Sequence, residues 1–304
     1  MRVALVNNMP DSAFLATEQQ FRAAIGVGGV ELELYAISEI PRGAAVDSLI
    51  AGRYADAEEL VNGHDAPDAL ILTGTEPTPG ALREEPSWVP LARLLEWASA
   101  SVAHAMLSCL AAHASILLFD GIEREPRTQR LSGVLPNDPL EPGHPLARGL
   151  PAGAPVPHSR VNDIPESIVL ERGYEVILRS EPAGWSIASR QQGRCSFVLC
   201  QGHPEYGPLS LLREYRRDVR RSLLAWDTTP YPPLPTNYLE PGGQRLAEEF
   251  RRHAEDGMRA GGEPLELYGQ FPFAALAAAV RHSWAPTSAA FYRNWLSLVG
   301  ASAR

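Results

Sequence analysis

Apolar positions along this chain repeat with two different periods in alternation. Residues 2–7 form a short β-rich run, and residues 31–36 (Glu31-Leu32-Glu33-Leu34-Tyr35-Ala36) alternate polar and apolar, as a half-buried strand does. Residues 69–73 are continuously apolar up to Thr73, the pattern of a central parallel strand covered on both faces. Between these runs, residues 11–25 place Phe14, Leu15, Phe21, Ala24 and Ile25 at helical spacing, with Asp11 or Ser12 as the expected N-cap. Residues 87–101 put Trp88, Leu91, Leu94, Leu95 and Trp97 on one side of a second helix. An apolar, strand-like run from Val102 to Ser108 then meets a small-residue, helix-like run starting at Leu110, with Cys109 at the junction.

Strands and helices in this order predict a doubly wound α/β fold with a mostly parallel sheet flanked by helices. Ligands of such sheets sit at the carboxyl ends of the strands, where Cys109 and the Thr73-Gly74 turn both fall. From about 121 to 200 the pattern is β-rich and broken by Pro and Gly, with candidate strands at 174–179, 184–189 and 195–200. An amphipathic helix is expected over 209–225 and an extended Pro-rich segment over 229–235. A charged helix follows at 243–260, an Ala-rich one at 272–283 and a last one at 287–299. The expected division is a domain over 1–240 and a helical insertion with a C-terminal helix, packed on the same domain, over 241–304.

Composition narrows the function. The net charge of −9 repels phosphate backbones, so nucleic acid is not an expected partner. All 27 basic residues are arginine, most simply the mark of Arg-rich codon usage, and this excludes Schiff-base lysine chemistry. Three cysteines with no CxxC pair indicate neither a disulfide framework nor a zinc site. No run of 18 apolar residues is present, and the first residues read as a strand rather than a signal peptide, so a cytoplasmic location and no membrane partner are expected.

The candidate chemistry lies in two segments. Cys109 sits on a sharp strand-to-helix turn, where the helix N-terminus favours negative charge on sulfur. Gly202-His203-Pro204-Glu205-Tyr206 follows another apolar strand, and Pro204 holds an extended geometry that lets Glu205 reach back to the His203 ring. Cys, His and Glu so placed are the material of a nucleophilic centre for acyl transfer through a thioester. Cys195 and Cys200 read as small buried hydrophobes, and His104 and His113 as packed residues rather than bases. His158, between Pro157 and Ser159, is placed in a loop that could line the pocket, and the remaining histidines at the surface.

These segments, with Asn8-Met9-Pro10, Thr17-Glu18, Arg127-Thr128, Leu131-Ser132-Gly133-Val134, Pro157-His158-Ser159-Arg160, Arg217-Asp218-Val219, Asn237-Tyr238 and Asn294-Trp295-Leu296, carry a resemblance. The chain resembles the homoserine O-acyltransferases of the succinyltransferase type, whose fold is similar to that of the class I glutamine amidotransferases. The resemblance implies Cys109 as the acylated nucleophile, His203 as general base and Glu205 as its orienter. It implies Arg130, Ser159 and Arg217 as acceptor-binding residues and Thr78 as the position that tunes the acyl group. Backbone N–H groups of Leu110 and of the loop at Gly74 would form the oxyanion hole. Acyl-CoA would be a co-substrate, with no other cofactor and no metal, and homoserine the leading acceptor, with succinyl slightly preferred over acetyl.

Departures from the family pattern accompany this. Arg130 stands where the family has lysine, Leu110 where a Trp often follows the nucleophile, and residues 241–282 are read as an insertion. The charged helix of that insertion is most simply a solvated face, with a cover over the site or a homodimer contact as the sharper alternative. Three other readings stay open: acylation of a different hydroxy-amino acid, a glutamine amidotransferase-like hydrolase using the same triad, and a non-enzymatic scaffold.

Overall fold

Val3 to Val6 are fully buried because their strand, β1 (Arg2–Val6), runs through the middle of a sheet with helices on both sides. The computed structural model describes residues 1–26, 29–75 and 81–302. After β1 come α1 (Asp11–Ile25), β2 (Glu31–Ala36), α2 (Ala44–Arg53), β3 (Ala55–Asp56), α3 (Ala57–Asn62) and β4 (Ala69–Leu72). Then follow α4 (Trp88–Ser101), β5 (His104–Ser108), α5 (Leu110–Asp120), β6 (Glu125–Leu135), β7 (Asp138–Pro139) and β8 (Val156–Asp163). The order continues with α6 (Glu166–Glu171), β9 (Glu175–Ser180), β10 (Gly184–Gln192), β11 (Cys195–Cys200) and α7 (Ser210–Leu224). It ends with α8 (Pro241–Arg259), α9 (Pro264–Gly269), α10 (Phe273–Ala278) and α11 (Ala285–Ser302).

The main sheet has the strand order β3-β2-β1-β4-β5-β11-β10-β9-β7. Strands β3 to β11 in that order run parallel, and β10, β9 and β7 close the far edge antiparallel. This is the doubly wound, mostly parallel arrangement that the alternating apolar pattern predicts. The chain leaves β1 toward β2 on one side and returns to β4 on the other, so a crevice opens at the carboxyl ends of the central strands. The segments after Val6, Leu72, Ser108 and Cys200 all emerge at that edge. A separate antiparallel pair, β6 and β8, stands beside it.

Two apolar clusters sandwich the sheet. One joins Leu91, Leu94 and Leu95 of α4 and Ala111 and Ala114 of α5 to Leu70, Leu107 and Leu199. The other joins Phe21 and Ile25 of α1 and Phe291 and Trp295 of α11 to Val3, Ile71 and Val198. Fully burying side chains of this size contributes about 1.5–3 kcal/mol each, which fixes the layers and hence the edge where the loops meet. A third cluster holds α7, α8, α9 and α10 together around Tyr215, Tyr238, Phe250 and Trp284.

Some local expectations change. Asp11 and Ser12 do not cap α1: Pro10 occupies the cap position, and Asp11 Oδ2 instead accepts the Gly43 N–H at 2.7 Å. The Ala-rich stretch expected as one helix over 272–283 keeps only the short α10, and α9 precedes it. On α4 the buried side is Leu91, Leu94, Leu95 and Ala98, while Trp88 and Trp97 are only half-buried. Among the described residues, no helix is long and apolar enough to cross a membrane.

Candidate active site

Cys109 adopts φ 49° and ψ −104°, a conformation that costs a non-glycine residue about 1–3 kcal/mol. The strain comes from reversing the chain between β5 and α5 in a single residue, which leaves the side chain at the rim of the sheet. Two backbone bonds hold the turn: the Cys109 N–H donates to the Cys200 carbonyl at 2.7 Å, and the Cys109 carbonyl accepts the His113 N–H at 3.1 Å. Leu110 is the first residue of α5, so its N–H is among those that a helix start leaves without an intrahelical acceptor. Gly74 abuts it: a Cβ there would lie 3.0 Å from the Leu110 nitrogen and 3.2 Å from the Ser108 carbonyl.

The second segment is fixed as firmly. The Gln201 and Gly202 N–H groups both donate to the Ser186 carbonyl, at 2.8 and 3.1 Å, and the His203 N–H donates to the Pro157 carbonyl at 2.7 Å. His203 Nδ1 lies 2.8 Å from Glu205 Oε1, which also accepts the Ser108 hydroxyl at 3.0 Å. The imidazole stacks on Tyr206 with ring centroids 4.2 Å apart. Burial pulls the His203 pKa down, but the Glu205 charge, a side-chain hydrogen bond with Cys109 and the Cys109 charge outweigh it and raise the value to about 10. Imidazole and sulfur line the same cavity, and the Glu205 and Cys109 interactions together favour the protonated ring.

A cavity of about 300 Å³ opens over this pair. Its walls include Cys109, His203, Glu205, Arg130, Ser159, Arg217, Leu110 and Gly74, so these sequence-derived candidates converge on one site. Thr78 lies outside the described residues. Arg130 donates to the Ser159 hydroxyl at 2.6 Å and to Glu214 at 3.3 Å, and pairs with Asp218 at 3.5 Å. Ser159 in turn donates to Glu214, and Arg217 Nε donates to Asp218 at 3.0 Å. The guanidinium of Arg130 reaches across two carboxylates, which a lysine at the same place could do only as a point charge.

Other wall residues escaped the sequence reading. Glu214 accepts the Tyr206 hydroxyl at 2.6 Å and so links the ring under His203 to the Arg130–Ser159 cluster. A signal was available: Glu214 and Arg217 are three residues apart on α7 and therefore share a face. Ser108 and Arg160 had no comparable signal, because their roles depend on strands brought together only by folding.

Two further histidines near the site are held by packing contacts. His113 lies 2.9 Å from Gln201 Oε1, whose amide donates to the Trp185 carbonyl, and burial pushes its pKa down to about 4. His158, expected in a loop, is instead fully buried in β8 and held far below its ordinary pKa by burial and by Arg160. Cys195 and Cys200 are buried, and burial raises both thiols. Among the described residues, no cluster of three or more His, Cys, Asp or Glu side chains is placed to hold a metal ion.

The family profile described as HTS: Homoserine O-succinyltransferase matches residues 1–303, a range that takes in 241–282. A homoserine O-succinyltransferase of Methylorubrum extorquens is 42% identical over 299 residues, covering 98% of this chain and 87% of that protein. One from Rhodopseudomonas palustris is 39% identical over 300 residues, covering 97% and 87%. Among solved structures, SMU.1228c aligns with a TM-score of 0.53 at 12% identity over 99% of this chain and all of that one, a likeness of fold alone. A glutamine amido transferase from Methylobacillus flagellatus aligns with a TM-score of 0.49 at 14% identity, over 97% of this chain and 94% of that one.

Proposed function

Because the chain belongs to the homoserine O-succinyltransferase family and is an O-acyltransferase, we propose that it acylates the homoserine hydroxyl through an acyl-Cys109 intermediate, with an acyl-CoA as donor. The observation that carries this reading is that Cys109, on its strained strand-to-helix turn, lines one cavity with His203, whose Nδ1 is held 2.8 Å from Glu205 Oε1. A cysteine at a helix start, with a His–Glu pair on the same cavity wall, is the arrangement of an activated sulfur nucleophile.

The Cys109 sulfur attacks the thioester carbonyl carbon. The resulting oxyanion is met by the Leu110 N–H and by the loop at Gly74. As the carbon–sulfur bond to CoA breaks, the His203 imidazolium gives its proton to the departing thiolate. His203 is now neutral and, steadied by Glu205, takes the proton of the acceptor hydroxyl as that oxygen attacks the acyl-cysteine. The thiolate leaves, the ester is released, and the imidazolium is restored. Arg217 would grip the acceptor carboxylate, and Arg130 with Ser159 would orient the rest of the molecule. No metal and no further cofactor enters this sequence of steps.

Two half-reactions imply ping-pong kinetics, and exchange tests this directly. Labelled CoA should enter unlabelled acyl-CoA without any acceptor present. Exchange that appears only when homoserine is added would instead indicate direct transfer in a ternary complex and would overturn the acyl-enzyme.

A further inference from the structure

The His203 imidazole is held at an edge and on a face. Glu205 accepts at Nδ1, which fixes one ring atom and leaves the ring able to swivel about that bond. Tyr206 removes the swivel. Its N–H donates to the His203 carbonyl at 3.1 Å, closing a turn with Pro204 in second place, and such a turn brings its first and last residues together. The two rings stack with centroids 4.2 Å apart and planes 21° apart.

Tyr206 is itself anchored at both ends. Its carbonyl accepts the Trp284 indole N–H at 2.7 Å, and Trp284 is fully buried against Tyr238. Tyr238 in turn donates to the Pro208 carbonyl at 2.6 Å, so the backbone beyond the turn is pinned as well. At the other end, burial and the Glu214 charge push the phenol pKa far up, so the hydroxyl remains a donor. It donates to Glu214 Oε1 at 2.6 Å. Glu214 Oε2 accepts from Ser159, and from Arg130 at 3.3 Å. One carboxylate thus gives one oxygen to the plate under the base and the other to the Arg130–Ser159 cluster. Packing alone does not need this hydroxyl, because a phenylalanine ring would stack on the imidazole equally well.

We propose that Tyr206 is a positioning residue for the acceptor half-reaction: its ring fixes the plane of the imidazole, and its hydroxyl registers that plane to the cluster through Glu214. The acceptor hydroxyl then arrives in line with Nε2, the ring nitrogen left for proton transfer. This rests on the acyl-enzyme and acceptor-site reading above and deepens it by separating two roles within one side chain, the ring serving both half-reactions and the hydroxyl only the second.

The test follows the whole protein by intact mass through loading from succinyl-CoA, discharge to saturating homoserine, and discharge to water alone. Tyr206→Phe should load, and should lose its acyl group to water, within about threefold of wild type, while discharge to saturating homoserine slows at least about tenfold. Water is not held by the cluster, so it reports the base without the register. Tyr206→Leu should slow all three steps at least about tenfold, and Phe at the same position thereby rescues loading. Wild-type discharge to homoserine in Tyr206→Phe, or equal losses in its three steps, would overturn the role of the hydroxyl. Wild-type loading in Tyr206→Leu would overturn that of the ring.

A second comparison does not depend on the leucine variant folding. Tyr206→Phe and Ser159→Ala both act through Glu214, so in the double variant the loss in homoserine discharge should be smaller than the product of the single losses by at least about threefold. Losses that multiply would overturn the link. A wild type that never gains an acyl group removes the acyl-enzyme reading itself. A wild type that loads and discharges, with Tyr206→Phe indistinguishable from it, removes the link alone.

Discussion

The backbone N–H of Cys109 donates to the carbonyl of Cys200 at 2.7 Å. This bond ties the nucleophile's turn to the end of β11, three residues before His203, across two neighbouring parallel strands. Sulfur and imidazole therefore meet because β5 and β11 are adjacent in the sheet. Their closeness is a property of strand order, with 93 residues of chain between them.

Glu205 sets the ionisation of His203, so removing its charge should appear in a pH profile. The His203 pKa is raised to about 10, which keeps the imidazolium, and the proton that CoA needs on leaving, in place well above neutral pH. In Glu205→Gln the upper limb of the donor half-reaction should move to lower pH by at least about one unit. The same raised pKa contributes stability that is complete below the ordinary 6.5 and is lost as pH rises through about 10, so this variant should also lose the part of its stability that fades over that range. Loading rates and denaturant midpoints from pH 6 to 11 check both. An unmoved upper limb would show that Glu205 does not control the imidazole.

Gly74 leaves room at the Leu110 nitrogen that a side chain would take. A Cβ at 3.0 Å from that nitrogen forces the loop and the start of α5 apart by a few tenths of an ångström. Gly74→Ala should lower the rate of acyl-enzyme formation by about tenfold to a hundredfold, since displaced oxyanion donors lose most of their effect. Stopped-flow release of CoA measures this, and a wild-type rate would remove Gly74 from the oxyanion site.

Arg217 should matter to one half-reaction alone. In Arg217→Gln, loading from acyl-CoA should stay within about threefold of wild type, while the acceptor KM rises by about ten- to a hundredfold through the loss of a charged hydrogen bond. Steady-state kinetics with varied homoserine, alongside single-turnover loading, separates the two. Equal damage to both half-reactions would make Arg217 a structural residue.

Gly202 should govern stability. A Cβ there would lie 2.6 Å from Val156 Cγ1 and 3.0 Å from His158 Cε1, in a region with no slack. Gly202→Ala should cost about 1–3 kcal/mol in urea unfolding, as overpacking does. An unchanged midpoint would mean that β8 yields more easily than its buried His158–Arg160 contacts imply.

How much of this was legible in the sequence follows from what the signals are. The continuous apolar run at 69–73 and the alternation at 31–36 report burial on two faces and on one, and those strands form as read. Cys109 and His203 stand out because each follows a buried strand, and the sheet edge is where a parallel fold gathers its loops. The β6–β8 pair was not individually legible, because Pro and Gly interrupt its apolar pattern and its stability comes from pairing across the chain. Helix α2 was missed because no residue in it is buried, so it lacks the one-sided apolar pattern from which a helix is recognised. Arg160 was read only as part of the Pro157–Arg160 segment, with no role of its own: its burial and its shared claim on Asp163 exist only once β8 lies against β10 and β6.

The most direct test of the acyl-enzyme is intact-protein mass after mixing with succinyl-CoA, followed by peptide mapping. The account predicts a gain of one acyl group on the peptide that holds Cys109, its loss when homoserine is added, and no gain in Cys109→Ala. A gain that persists in Cys109→Ala, or an acyl group mapped to another residue, would contradict it.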